Sequence, residues 1–146
     1  MSIEENKAVM QRIWKEILNE GKTEKTNELV ANDYVYHGPG GHEIKGIEGF
    51  KKFMTWIHNS FPGAHFTLDD LIAEGDKVVS FFTMKGTHKS NKQANFQGIV
   101  ISRIISGKEV EVWEIFDRLT IASQLAPAWV KVMLRFIEKQ MLKDRP

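Results

Sequence analysis

The chain has 146 residues, a formal net charge of +1 and no cysteine; with 42% hydrophobic and 27% charged residues it suits one globular domain and excludes a disordered chain. The near-zero charge excludes a global field for nucleic acid or an acidic partner, and the lack of cysteine excludes disulfides and thiolate catalysis. No run approaches the roughly 20 apolar residues of a membrane span and Met1–Asn6 is too polar for an export leader, so a cytoplasmic location is expected.

The first helix is expected over Ile3–Asn19, where Met10, Ile13, Trp14, Ile17 and Leu18 recur at helical spacing. Thr23 is placed to cap a short second helix ending near Val30. Tyr34–His37 reads as a short strand, broken by Gly38-Pro39-Gly40-Gly41. A third helix follows Gly46, buries Ile47, Phe50, Phe53, Met54 and Ile57, and stops at Pro62-Gly63. Four strands follow: His65–Ala73, Lys77–His88, Phe96–Ile105 and Val110–Leu119, joined by connections short enough to imply antiparallel pairing. Helices on one face of such a sheet make an α+β domain. A last helix starts at Pro127, with Trp129, Val132, Met133, Phe136, Ile137 and Met141 on one stripe and Lys131, Arg135, Lys139 and Lys143 on another. The segment from Pro127 to Pro146 carries a net charge of +3. Its apolar stripe is expected to pack on the body or on a second subunit rather than on a membrane.

Strand alternation sorts the side chains into faces. In the last strand Trp113, Ile115 and Asp117 share one face, and Val112, Glu114 and Phe116 the other. Either the first set faces solvent, or a carboxylate faces apolar company. Ser80, Phe82, Met84 and His88 share a face of the Lys77–His88 strand, which predicts that His88 and Asp117 meet inside, unless a bulge reverses one of them. His37, His42 and Glu43 lie close in sequence but match no metal-ligand spacing, so no metal site is expected.

The run Gly86-Thr87-His88, Arg103-Ile104, Gly107-Lys108, Trp113, Asp117 and Gln124-Leu125 resembles the SnoaL-like polyketide cyclases of the nuclear transport factor 2-like superfamily. His37, Gly46-Ile47, Phe61-Pro62-Gly63 and Ala73-Glu74-Gly75-Asp76 agree with that likeness, which spans roughly residues 5–126. The resemblance implies a cone barrel of cystatin-like type, a curved antiparallel sheet wrapped around the N-terminal helices, over residues 1–126. Residues 127–146 would add an extra C-terminal helix. It also implies an aspartate acid/base in the last strand, matched by Asp117, cavity histidines matched by His88 and His37, no cofactor and a homodimer. The stretch from Lys89 to Asn95 is shorter than the corresponding family connection, so the mouth should be shaped differently.

This suits a base that removes a proton beside a carbonyl, with a donor for the enolate oxygen from His37, His88 or a pocket tyrosine. Trp14, Tyr36, Phe53, Trp56, Met84, Trp113 and Ile115 would hold a small apolar, polyketide-like or aromatic molecule. The expected function is thus a cofactor-free cyclase, isomerase or dehydratase. The other class open to the same fold is a non-catalytic small-molecule-binding or dimerisation module.

Overall fold

A computed structural model describes residues 1–143. Helix α1 (Ile3–Arg12) opens on a reciprocal cap: Ser2 Oγ accepts from the Glu5 amide at 3.1 Å, and Glu5 Oε2 accepts from the Ser2 amide at 2.6 Å. The helix widens into π-type turns over Ile13–Asn19, so the apolar stripe runs on through Trp14 and Ile17, both buried. The short helix α2 (Thr26–Leu29) ends where expected, but strand β1 starts earlier than expected, at Val30, and runs to His37. A three-residue strand β2 (Glu43–Lys45), not foreseen in the sequence, precedes helix α3 (Gly46–Ser60).

Four strands follow: β3 (His65–Glu74), β4 (Lys77–Thr87), β5 (Gln93–Ile105) and β6 (Lys108–Phe116). The sheet order is β2-β1-β6-β5-β4-β3. All neighbours are antiparallel except β1 and β6, which run parallel with Tyr36 opposite Val112. Register shifts between Leu68 and Asp70, and between Arg103 and Ile104, bend a sheet that must curl around its helices. The fold is therefore the expected α+β cone: a curved sheet with α1 and α3 on its inner face. Trp14 anchors that packing, its ring 4.8 Å from Phe82 and 6.0 Å from Phe66, with Nε1 donating to Ser80 Oγ at 3.3 Å.

The last strand is shorter than the sequence suggested. It stops at Phe116, and Leu119 lies inside a new helix, α4 (Arg118–Leu125). Helix α5 (Ala128–Met141) starts after Pro127, which is its N-cap residue rather than its first helical one. It meets α4 but buries none of its residues: Trp129 is 70% and Phe136 62% exposed. Among the described residues no helix is long and apolar enough to cross a membrane.

Candidate active site

The inner face of β6 carries Val112, Glu114 and Phe116, and that of β4 carries Ser80, Phe82 and Met84, the groupings that alternation gave. Between these strands, α3 and α4 lies a cavity of about 860 Å³. That is within the usual range for small-molecule sites, roughly 300–1,000 Å³. Two glycines give its wall room. A Cβ at Gly98 would stand 2.6 Å from the Phe82 ring, and one at Gly38 would stand 2.6 Å from the Tyr36 ring. Both aromatic side chains therefore lie flat across a neighbouring backbone.

Aromatic side chains form a rail into the cavity. Trp56, more than half exposed, stacks on Phe53 with centroids 5.9 Å apart and planes 9° apart; Phe53 lies 5.3 Å from Tyr36. At the inner end the Tyr36 hydroxyl donates to Glu114 Oε2. Phe96 and Phe116, with centroids 5.3 Å apart, belong to the same cavity wall. Exposed Lys52 and Arg118 line its open side.

Glu114 is the acid of this cavity. Burial raises its carboxyl above the ordinary value, and the Tyr36 hydrogen bond pulls the other way. Burial also pushes the Tyr36 phenol far up, with the Glu114 charge adding to the effect. The ion pairs of β5 and β6 are on the other face of the sheet, and among the described residues no lysine or arginine pairs with Glu114.

The sequence-predicted residues divide. Tyr36, Phe53, Trp56, Met84 and His88 line the cavity. The Ser90 amide donates to His88 Nδ1 at 3.2 Å, so the neutral ring carries its proton on Nε2. Trp14 is core and borders only a smaller chamber behind Tyr36. Trp113 and Ile115 are corrected to the outer face, where Ile115 is 75% exposed. There Trp113 lies between the His37 ring, stacked at 5.4 Å, and the Arg103 guanidinium at 5.6 Å. His37 is likewise corrected out of the cavity: its Nε2 is 3.0 Å from Glu111 Oε1 and its Nδ1 3.4 Å from Glu43 Oε2.

Asp117 needs the largest correction. It lies past the end of β6, exposed to solvent, as the N-cap of α4. Its carboxylate accepts from the amides of Leu119 at 2.9 Å and Thr120 at 3.1 Å, and from Thr120 Oγ1 at 2.7 Å. These bonds hold its pKa below the usual value, chiefly through the Thr120 hydroxyl, which is the reverse of what a buried base needs. The alternative left open by alternation is settled: Trp113 and Ile115 face solvent, and the inward acid is Glu114. Sequence reasoning grouped Glu114 with Val112 and Phe116 but placed the cavity acid on the opposite face; its position between two apolar residues was the available signal.

With the geometry in place, the family model of the SnoaL-like polyketide cyclases matches residues 8–125. The chain belongs to the SnoaL-like polyketide cyclase family. Among solved structures, a candidate polyketide cyclase from Bacillus cereus ATCC 10987 is 31% identical, covering 83% of this chain and 80% of that one, with a TM-score of 0.73. IdmH, a candidate polyketide cyclase from Streptomyces antibioticus, is 26% identical over 82% of this chain and 97% of that one, also at 0.73. A SnoaL-like protein from Jannaschia sp. CCS1 has a higher TM-score of 0.80, over 87% of this chain and 96% of that one, but at 18% identity it shows the fold alone. No curated protein matches.

Proposed function

We propose that this SnoaL-like chain is a cofactor-free acid/base enzyme that removes a proton beside the carbonyl of a flat, largely apolar molecule, with Glu114 as the base. The observation that carries this is a carboxylate without a cationic partner among the described residues, held by the Tyr36 hydroxyl at the inner end of an aromatic-walled cavity. Poor solvation makes such a carboxylate more basic, and the Tyr36 bond fixes one oxygen while leaving the other for substrate. Stacking along Trp56 and Phe53 would orient an aromatic or polyketide-like guest edge-on to Glu114. His88 Nε2–H is the proposed donor to the developing enolate oxygen. The proton taken from carbon returns to another carbon or to oxygen, giving isomerisation or aldol closure without loss of atoms.

The relatives named as polyketide cyclases support the substrate class. A homodimer belongs to the same reading. The outer sheet face exposes Ile72, Ile99, Ile101 and Ile115, an apolar patch that a second copy would cover; α5 would then pack on that copy. We place the protein in the cytoplasm, which its cysteine-free sequence fits.

The test uses 2-tetralone, an apolar bicyclic ketone, in deuterated buffer, with exchange at the carbon beside its carbonyl read by NMR. Glu114→Gln should lower the protein-catalysed exchange by about 100-fold or more while ketone binding survives. Binding without exchange in the unaltered chain would leave the protein a ligand-binding module.

A further inference from the structure

Behind the Tyr36–Glu114 bond is a second, smaller chamber of about 80 Å³. It shares Tyr36 and Glu114 with the large cavity and adds Tyr34, Glu109 and Val112. The rest of its wall, from α1 and the π-type turns after it, α3, β3 and β5, is apolar: Met10, Trp14, Phe50, Met54, Phe66 and Val100 are examples. The titratable groups facing it are therefore Tyr34 and Tyr36 of β1 and Glu109 and Glu114 of β6.

Glu109 is 3% exposed, yet among the described residues its carboxyl accepts a hydrogen bond from Ser102 Oγ alone, at 2.6 Å on Oε1. Tyr34, also 3% exposed, has no hydrogen bond to its hydroxyl among the described residues. A buried carboxyl and a buried phenol with spare capacity, around a space larger than the roughly 30 Å³ share of one water, meet the conditions for internal hydration.

We propose that this chamber holds water joining Glu109 to Glu114, and that Glu109 is a positioning residue storing the proton that would otherwise sit on Glu114. The inference rests on Glu114 being the base. In the resting pair one proton is shared: Glu109 is the acid and Glu114 the anion, which is free to take a proton from substrate. Transfer between them through a water conserves both proton and charge; the water gives one proton to the accepting carboxylate as it takes one from the donor. Burial, opposed by the Ser102 bond and helped by the Glu114 charge, brings the Glu109 carboxyl up to about 7. The deeper group thus keeps its proton near neutrality.

Carboxyl-labelled glutamate in the ligand-free full chain allows both groups to be followed by NMR from about pH 4 to 9. Wild type should show two linked steps, the upper one, belonging to Glu109, near pH 7. Glu114→Gln should lower the Glu109 midpoint by about 1 pH unit. Glu109→Gln should abolish the upper step and leave a single Glu114 titration; backbone amide spectra report whether each variant folds, and either folded variant suffices. Long-lived water giving cross-peaks to the Tyr34 ring is the second expected readout. A Glu109 midpoint unmoved by Glu114→Gln, or a chamber without such water, overturns the proposal. Linked titration together with undiminished 2-tetralone exchange in Glu114→Gln would instead remove the base assignment and leave the linkage standing.

Discussion

The two faces of β6 carry the same kinds of side chain in opposite circumstances. Outward, Glu111 is 3.0 Å from both Arg103 Nη1 and His37 Nε2, beside Trp113. Inward, Glu114 sits among Phe96, Phe116 and Tyr36 with, among the described residues, a phenol alone to hold it. Three positions along the chain separate a carboxylate paired with a guanidinium and an imidazole from one whose burial is left uncompensated. The first is a structural ion pair on a half-exposed face, and the second is poised for proton transfer. What distinguishes them is the parity of their positions along the strand.

Exchanging the chemistry at these two positions should give the largest contrast. Glu114→Gln is expected to cost about 100-fold in 2-tetralone exchange. Glu111→Gln should leave exchange within a few-fold and cost less than about 1 kcal/mol of stability, since its pair is partly exposed. Chemical denaturation with exchange assays on both variants checks this, and a reversed order of effects would break the comparison. Tyr36→Phe lies between them. It removes the bond that fixes Glu114, so exchange should drop roughly 10-fold, with the pH midpoint of the rate shifted up because the anion loses its donor.

The inner acids also predict a pH dependence of stability. Glu109 is raised from 4.5 to about 7 in the folded chain, so the native state binds its proton more tightly than the unfolded state. Its contribution is fully present below about pH 4.5 and is lost as pH rises through 7. The loss is about 3 kcal/mol at most. Unfolding by urea at a series of pH values should show the decline in wild type and a shallower one in Glu109→Gln, where Glu114 alone remains raised by burial. A decline as steep in the variant as in wild type would mean that Glu109 is not buried as described.

Much of the fold was legible because periodicity is a local property. The stripe through Met10, Trp14 and Ile17 and the alternation through Ser80, Phe82 and Met84 needed no knowledge of distant residues. The parallel β1–β6 pairing was not legible, since pairing between strands far apart in sequence has no local signature, and three-residue β2 exists only because β1 offers it an edge. The site was half legible. The aromatic rail could be drawn from Tyr36, Phe53 and Trp56. Alternation alone could not say which face of β6 was inside. Nor did it show that the strand stops at Phe116, where Asp117 turns the chain into α4 by bonding the next amides. A likeness that marked Asp117 as the acid therefore pointed three residues past the carboxylate that reaches the cavity.

The smallest effect belongs to that residue and is the sharpest check on the inner–outer distinction. Asp117→Ala removes the acceptor for the Leu119 and Thr120 amides, and an N-cap of this kind contributes about 1 kcal/mol. The loss should stay local to α4. That helix remains tied to β5 by Gln124, which accepts from the Asn95 amide at 2.8 Å and donates to its carbonyl at 2.7 Å, and by Lys92 donating to the Leu125 carbonyl at 2.6 Å. Because Ile121, Ala122 and Leu125 of α4 line the cavity, loosening the cap should weaken ketone binding about two-fold and leave the saturated exchange rate unchanged. Asp117→Asn keeps a side-chain oxygen for the cap and should recover the binding. If Asp117→Asn instead abolished saturated exchange in a chain whose α4 amides remain protected, the acid would have to reach the substrate from outside the cavity wall, and the division between the two faces of β6 would no longer account for the chemistry.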